Sequence, residues 1–143
     1  MVFDKSSLKF YRIAEADIEV RQARGKGLGV FARKALRRGG FIEYRGRLLF
    51  KTELKHVRNR QYVTQLPSRH PASRRYFMDG NPKHTPPLSG CVGCYCNDSR
   101  ERPTSFLTYL PSKNIVVIAL GRNVKRGQEI TWDYGDQYNR TWV

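Results

Sequence analysis

The chain has 143 residues, 39% hydrophobic and 12% aromatic, enough to bury a core and too apolar for a disordered tail. Its 27 lysines and arginines against 12 acids give a net charge of +15. That field attracts polyanions, yet no zinc-finger spacing, RNP pattern or continuous basic helix accompanies it. MVFDKSSLKFYR lacks the apolar stretch of a signal peptide, and no run approaches the roughly 18 apolar residues of a membrane span. The three cysteines cluster between positions 91 and 96, which excludes a secreted disulfide framework and leaves an intracellular protein as the expectation.

Residues 1–17 read as a polar flank whose Phe3, Phe10, Tyr11 and Ile13 pack on the domain. Residues 18–21 alternate as a short strand. Gly25, Gly27 and Gly29 then alternate, so the backbone there can approach a ligand closely, and 30–32 resumes a strand. Gly39-Gly40 marks a turn before a strand over 41–44. Residues 52–55 start a short helix with Thr52 as its cap. Strands over 61–66 and 74–80 form a hairpin across a basic turn, and 80–93 is loop. Strands over 104–110 and 114–120 pair across Pro111-Ser112-Lys113. Finally EITWDYGDQY, residues 129–138, aims Ile130, Trp132 and Tyr134 to one side of a strand that Gly135 ends. Many short strands and little helix predict a mainly β single domain.

Three stretches stand in a telling order: GKGLGVFA with RGGFIEYRG, then YCNDS, then ALGRNVKRGQEITWDYGDQY. Together they resemble the SET domain, the protein lysine methyltransferase fold, over about residues 18–138. The resemblance implies several small sheets and a knot-like C-terminal threading. It divides the chain into a flank (1–17), the SET domain (18–138, with 51–80 as a variable insert) and a tail (139–143). The compact form without a cysteine-rich post-SET segment is the one it matches. In the family the middle motif is Asn-His-Ser preceded by Arg-Phe-Ile. Here Asp98 stands for the His and Cys94 for the Arg.

By that resemblance S-adenosylmethionine binds one face and leaves as S-adenosylhomocysteine, while a lysine enters from the other through a narrow channel. Lys26, Gly27, Leu28 and Gly29 contact the methionine part, Asn97 and Asp98 the amino-acid and adenine parts, and Tyr138 or Trp142 stacks on the adenine. Tyr134 matches the catalytic tyrosine. Trp132, two before it, matches the channel position that influences how many methyls are added. Tyr62 is the second candidate for the channel wall and Tyr44 the third.

The chemistry of the residues agrees. Methyl transfer from a sulfonium to an amine is an in-line displacement, so alignment is most of the work and can supply up to about 7–11 kcal/mol. The amine must be neutral, whereas free lysine has a pKa of roughly 10.4. An apolar aromatic channel and a nearby sulfonium both disfavour the ammonium, so no dedicated base is required. Cys91, Cys94 and Cys96 with His84 are the alternative of a metal site. Their spacing is tight for zinc, and small buried cysteines are the expected role, with no metal.

The expected function is therefore lysine methylation, on a histone or another lysine-bearing protein, in the nucleus, with nucleosomal DNA as a contact for the basic surface. The alternative is an inactive SET-like module that binds chromatin or nucleic acid.

Overall fold

A computed structural model describes residues 3–25, 27–58, 62–73, 76–83 and 91–134. Strands β2 (Ile18–Ala23) and β3 (Gly27–Ala32) form an antiparallel hairpin, register Ala23↔Gly27 to Ile18↔Ala32. Gly25 and Gly27 turn the chain there at φ +74° and +76°, the left-handed region that a Cβ disfavours. The glycine run thus lies partly inside β3, which begins at Gly27, ahead of the expected start at position 30.

β9 (Ser105–Leu110) and β10 (Ile115–Leu120) pair antiparallel across the turn at 111–114, as the pattern predicts. β10 reads IVVIAL because both its faces are covered: Val117, Ile118, Ala119 and Leu120 are fully buried. β4 (Gly40–Glu43) lies on its other side, antiparallel, and β1 (Tyr11–Arg12) adds to β4 in parallel. β11 (Glu129–Trp132) pairs with β3, with β9, and in parallel with β8 (Asn97–Asp98). The large sheet runs β1-β4-β10-β9-β11-β3-β2, with β8 on β11 off that path.

A small sheet, ordered β5-β7-β6, joins β5 (Arg47–Phe50), β7 (Tyr76–Asp79) and β6 (Val63–Gln65). The 63–65 and 76–79 strands are the expected hairpin, antiparallel. A 3-10 turn over Lys51–His56 stands where the short helix was expected. Its cap is not Thr52: Glu53 reaches back and accepts a bond from the Phe50 N–H at 2.8 Å. In the N-terminal flank Ile13 enters the main core and Phe3 packs on Phe106 at 5.7 Å, but Phe10 and Tyr11 remain about 40% and 39% exposed. Tyr11 uses its hydroxyl instead, donating to the Arg37 carbonyl at 2.8 Å.

Candidate active site

An aromatic cleft opens where the two sheets meet. Tyr44 directly follows β4 and is buried; Trp132 closes β11; Tyr134 stands two residues beyond it; Tyr62 immediately precedes β6. These four, with Val63, Thr64 and Cys94, line a narrow cleft. The Trp132 and Tyr134 rings lie 4.7 Å apart, and Tyr44 meets Trp132 edge-on at 6.4 Å. The Tyr44 hydroxyl donates to the Tyr62 carbonyl at 3.0 Å and so ties the large sheet to the small one. Burial, then the neighbouring Tyr134, raise the Tyr44 pKa well above its ordinary value, which keeps this donor protonated. The Tyr134 hydroxyl donates to the Cys96 carbonyl at 2.7 Å, which fixes its oxygen at the cleft wall. Tyr134 is thus aimed by a bond to 96 rather than by strand alternation, because β11 ends at Trp132. The Trp132 indole N–H is buried with no acceptor among the described residues.

Adjoining the cleft is a polar cradle. The β8–β11 pairing sets Asn97 beside Thr131 and Asp98 beside Trp132. Asn97 spends its amide donors on the Leu28 carbonyl at 3.0 Å and on the Glu129 carboxylate at 2.7 Å, so among the described residues its Oδ1 remains as an acceptor. Gly29 sits against the same group: a Cβ there would come within 2.7 Å of the Glu129 carboxylate and 3.0 Å of the Asn97 amide. Close approach of backbone to side chain is therefore why position 29 is glycine. The Asp98 carboxylate accepts the Tyr134 N–H at 2.9 Å, and Ser99 N–H donates to the Trp132 carbonyl at 3.0 Å. Residues 96–99 thus hold both the aromatic pair and the cradle.

Of the residues singled out from sequence, Tyr44, Tyr62, Trp132 and Tyr134 come together at the cleft, and Gly29 and Asn97 meet at the cradle. Leu28 supplies its carbonyl to Asn97 while its side chain is exposed. Lys26, Tyr138 and Trp142, and the threading of the C-terminal stretch beyond 134, lie outside the described residues. Sequence reasoning missed Glu129, the Cys96 carbonyl and the cleft-lining Cys94, Val63 and Thr64. Only the alternating pattern over 61–66 signalled any of these.

Cys91, Cys94 and Cys96 are free and buried. Burial pushes the Cys94 thiol up to about 11 and raises that of Cys96 further, so neither is a thiolate at neutral pH. Cys91 donates to the Glu43 carboxylate at 3.5 Å. His84 lies outside the described residues.

The SET domain family matches residues 27–135, and the chain belongs to that family. A histone-lysine N-methyltransferase, H3 lysine-36 specific, from Kluyveromyces lactis is 30% identical over 144 residues, covering 94% of this chain and 19% of the yeast protein. Two crystal forms of Arabidopsis thaliana SUVH6 in complex with SAM superpose with TM-scores of 0.63 and 0.62 at 23% identity. They cover 82% and 84% of this chain and 27% and 29% of theirs, and they share its fold. The chain thus spans about a fifth of the yeast relative's length.

Proposed function

We propose that this protein is an S-adenosylmethionine-dependent protein lysine N-methyltransferase, with a histone as its substrate and chromatin in the nucleus as its place of action. The observation that carries the reading is the Tyr134 hydroxyl, held at 2.7 Å from the Cys96 carbonyl where the aromatic cleft joins the Asn97–Gly29 cradle. SET-family membership and the yeast relative's histone-lysine methyltransferase activity support it.

The residues present fit the cofactor. The acceptor oxygen of Asn97 suits an α-ammonium group, and Gly29 lets the Glu129 carboxylate and the Asn97 amide close against the backbone, which holds that oxygen in place. Gly27, Leu28 and Asp98, with Lys26, Tyr138 and Trp142, complete the proposed set. When bound, the cofactor supplies an electrophilic methyl on a sulfonium. Every other step belongs to the chain. Tyr44, Tyr62 and Trp132 exclude water and disfavour the lysine ammonium by desolvation, so a neutral amine occupies the cleft. Tyr134 orients that amine; its hydroxyl is already anchored, so little reorganisation accompanies the reaction. The proton leaves to solvent before transfer, which fits a cleft whose titratable groups, among the described residues, are tyrosines and one thiol with a raised pKa.

The test is labelled cofactor incubated with histones, nucleosomes and cell extract, alongside calorimetry of cofactor binding. Incorporation of label into lysine is expected. Tight binding with no transfer to any substrate would favour the inactive-module reading, and absence of binding would remove the catalytic one.

A further inference from the structure

Away from the cleft, two loops carry a cluster of cations on a shared rigid base. Loop 33–39 follows β3 and loop 121–128 precedes β11. They are joined by a bridge between buried Leu36 and Val124, whose backbones exchange bonds at 2.8 and 2.9 Å. The Arg38 N–H donates to the Asn123 side chain at 2.9 Å, and Gly39 N–H to the Leu120 carbonyl at 2.8 Å. Gly127 N–H and the Ala32 carbonyl close the base at 2.8 Å. The loops are therefore a preformed platform, continuous with the two strands that hold the candidate site.

The side chains on that platform are basic. An open groove of about 1160 Å³ runs past Lys9, Lys34, Arg37 and Arg38, and one of about 850 Å³ past Arg122, Lys125 and Arg126; Asn123 lines both. Asp17 is the one carboxylate lining either groove among the described residues, and it is already paired with Lys34 at 3.4 Å. Exposed Lys9, Arg37, Lys125 and Arg126 have no carboxylate within ion-pair distance among the described residues. Unneutralised like charges held side by side cost self-repulsion, and a rigid polyanion relieves it by displacing counterions.

We infer that the paired loops 33–39 and 121–128 form a docking surface for the phosphate backbone of duplex DNA. The choice of DNA among polyanions rests on the histone reading above; the surface itself does not. Geometry connects the two. From Gly127 to Tyr134 the chain advances seven residues, at most about 23 Å at ~3.3 Å per residue. That is less than one DNA turn of about 34 Å, so a duplex on the platform leaves the cleft within reach of a protein segment emerging beside it. The arrangement also resolves a conflict of charge: a protein of +15 repels a free basic tail at long range, but not one presented on DNA.

The test is fluorescence anisotropy of a labelled duplex with the full chain, without cofactor, across a salt series. The triple variant Arg37→Ala/Lys125→Ala/Arg126→Ala is compared with Lys51→Ala/Lys55→Ala/Arg69→Ala, which removes the same charge from exposed positions elsewhere. The platform variant should make the slope of log affinity against log salt shallower by about 2.7 and weaken binding on the order of 10²-fold at 0.1 M salt. The control triple should change the slope by less than about one. Equal losses in the two variants would show that total charge, not this face, binds, and would overturn the proposal. So would tighter binding to anionic lipid vesicles or single-stranded RNA than to the duplex. Neither triple touches the cleft, so any gain in methylation of a free peptide from relieved charge repulsion should be the same for both. Local DNA binding without any methyl transfer would sink the enzymatic reading and leave the docking surface standing.

Discussion

The large sheet buries Val30, Val117, Ile118, Ala119, Leu120 and Ile130 completely, whereas the small sheet encloses Leu49, Leu54, Val63 and Phe77 and leaves Leu48 and Phe50 43% and 47% exposed. The cleft takes one wall from each. Tyr44, Cys94, Trp132 and Tyr134 stand on the well-packed side, and Tyr62, Val63 and Thr64 on the thinner one. The difference teaches a division of labour. The groups proposed to align the reaction sit where packing allows little movement, and the groups proposed to meet the substrate sit where a few contacts can change without unfolding the domain.

The largest effects should come from breaking the packing contrast itself. Ile118→Ala, in a strand covered on both faces, is expected to cost about 4 kcal/mol of unfolding free energy, and Leu49→Ala about 2 kcal/mol. Urea titrations of both variants check this. Equal losses would mean the small sheet is packed as tightly as the large one.

Next in size is the wall on the large sheet. Tyr134→Phe should lower kcat about 10²-fold, equivalent to about 2.7 kcal/mol, while cofactor affinity measured by calorimetry stays within about twofold. The variant loses the bond to the Cys96 carbonyl, so a modest stability loss of about 1 kcal/mol should accompany it. Undiminished turnover would remove Tyr134 from the mechanism.

The opposite wall should behave differently. Tyr62→Ala is expected to raise KM for a peptide substrate about tenfold, near 1.4 kcal/mol, with kcat within about threefold, because a wall that grips ground and transition states alike contributes uniform binding. A loss confined to kcat would show that Tyr62 belongs with the aligning groups, and the division between the sheets would fall.

Much of this was legible in the chain. The β9–β10 hairpin follows from a continuous apolar run beside a turn at Pro111, and the order of motifs singled out Trp132 and Tyr134, which share the cleft, and Asn97 and Gly29, which share the adjoining cradle. What stayed hidden shares a physical character. The β8 strand is only two residues long, too short to carry a period, and it exists because residue 131 lies beside it. Glu129 meets Asn97 across 32 positions, and Tyr134 meets a backbone carbonyl across 38. Contacts of that reach, one of them to a main-chain atom that every residue carries, leave no local signature. The Thr52 cap failed for a related reason: the turn begins at Lys51, ahead of Thr52, and Glu53 reaches back to the Phe50 N–H, a start that position preferences alone do not reveal.

The smallest effect concerns pH and tests how dry the seam is. Burial holds the Cys94 thiol up at about 11 and that of Cys96 higher still, against roughly 8.5 for a free thiol. Below about pH 8.5 these thiols are protonated whether the chain is folded or not, so they add no pH dependence. Between there and about pH 11 the unfolded chain releases protons that the folded one keeps, and stability falls as pH rises. Thermal unfolding should therefore drop by a few degrees between pH 8.5 and 10, below the range where the tyrosines of an unfolded chain ionise fully. Cys94→Ala and Cys96→Ala should each flatten that slope, because each removes a group whose proton count differs between the two states. A pH-independent Tm across this window in the parent would mean that water reaches both thiols and that the seam between the sheets is open.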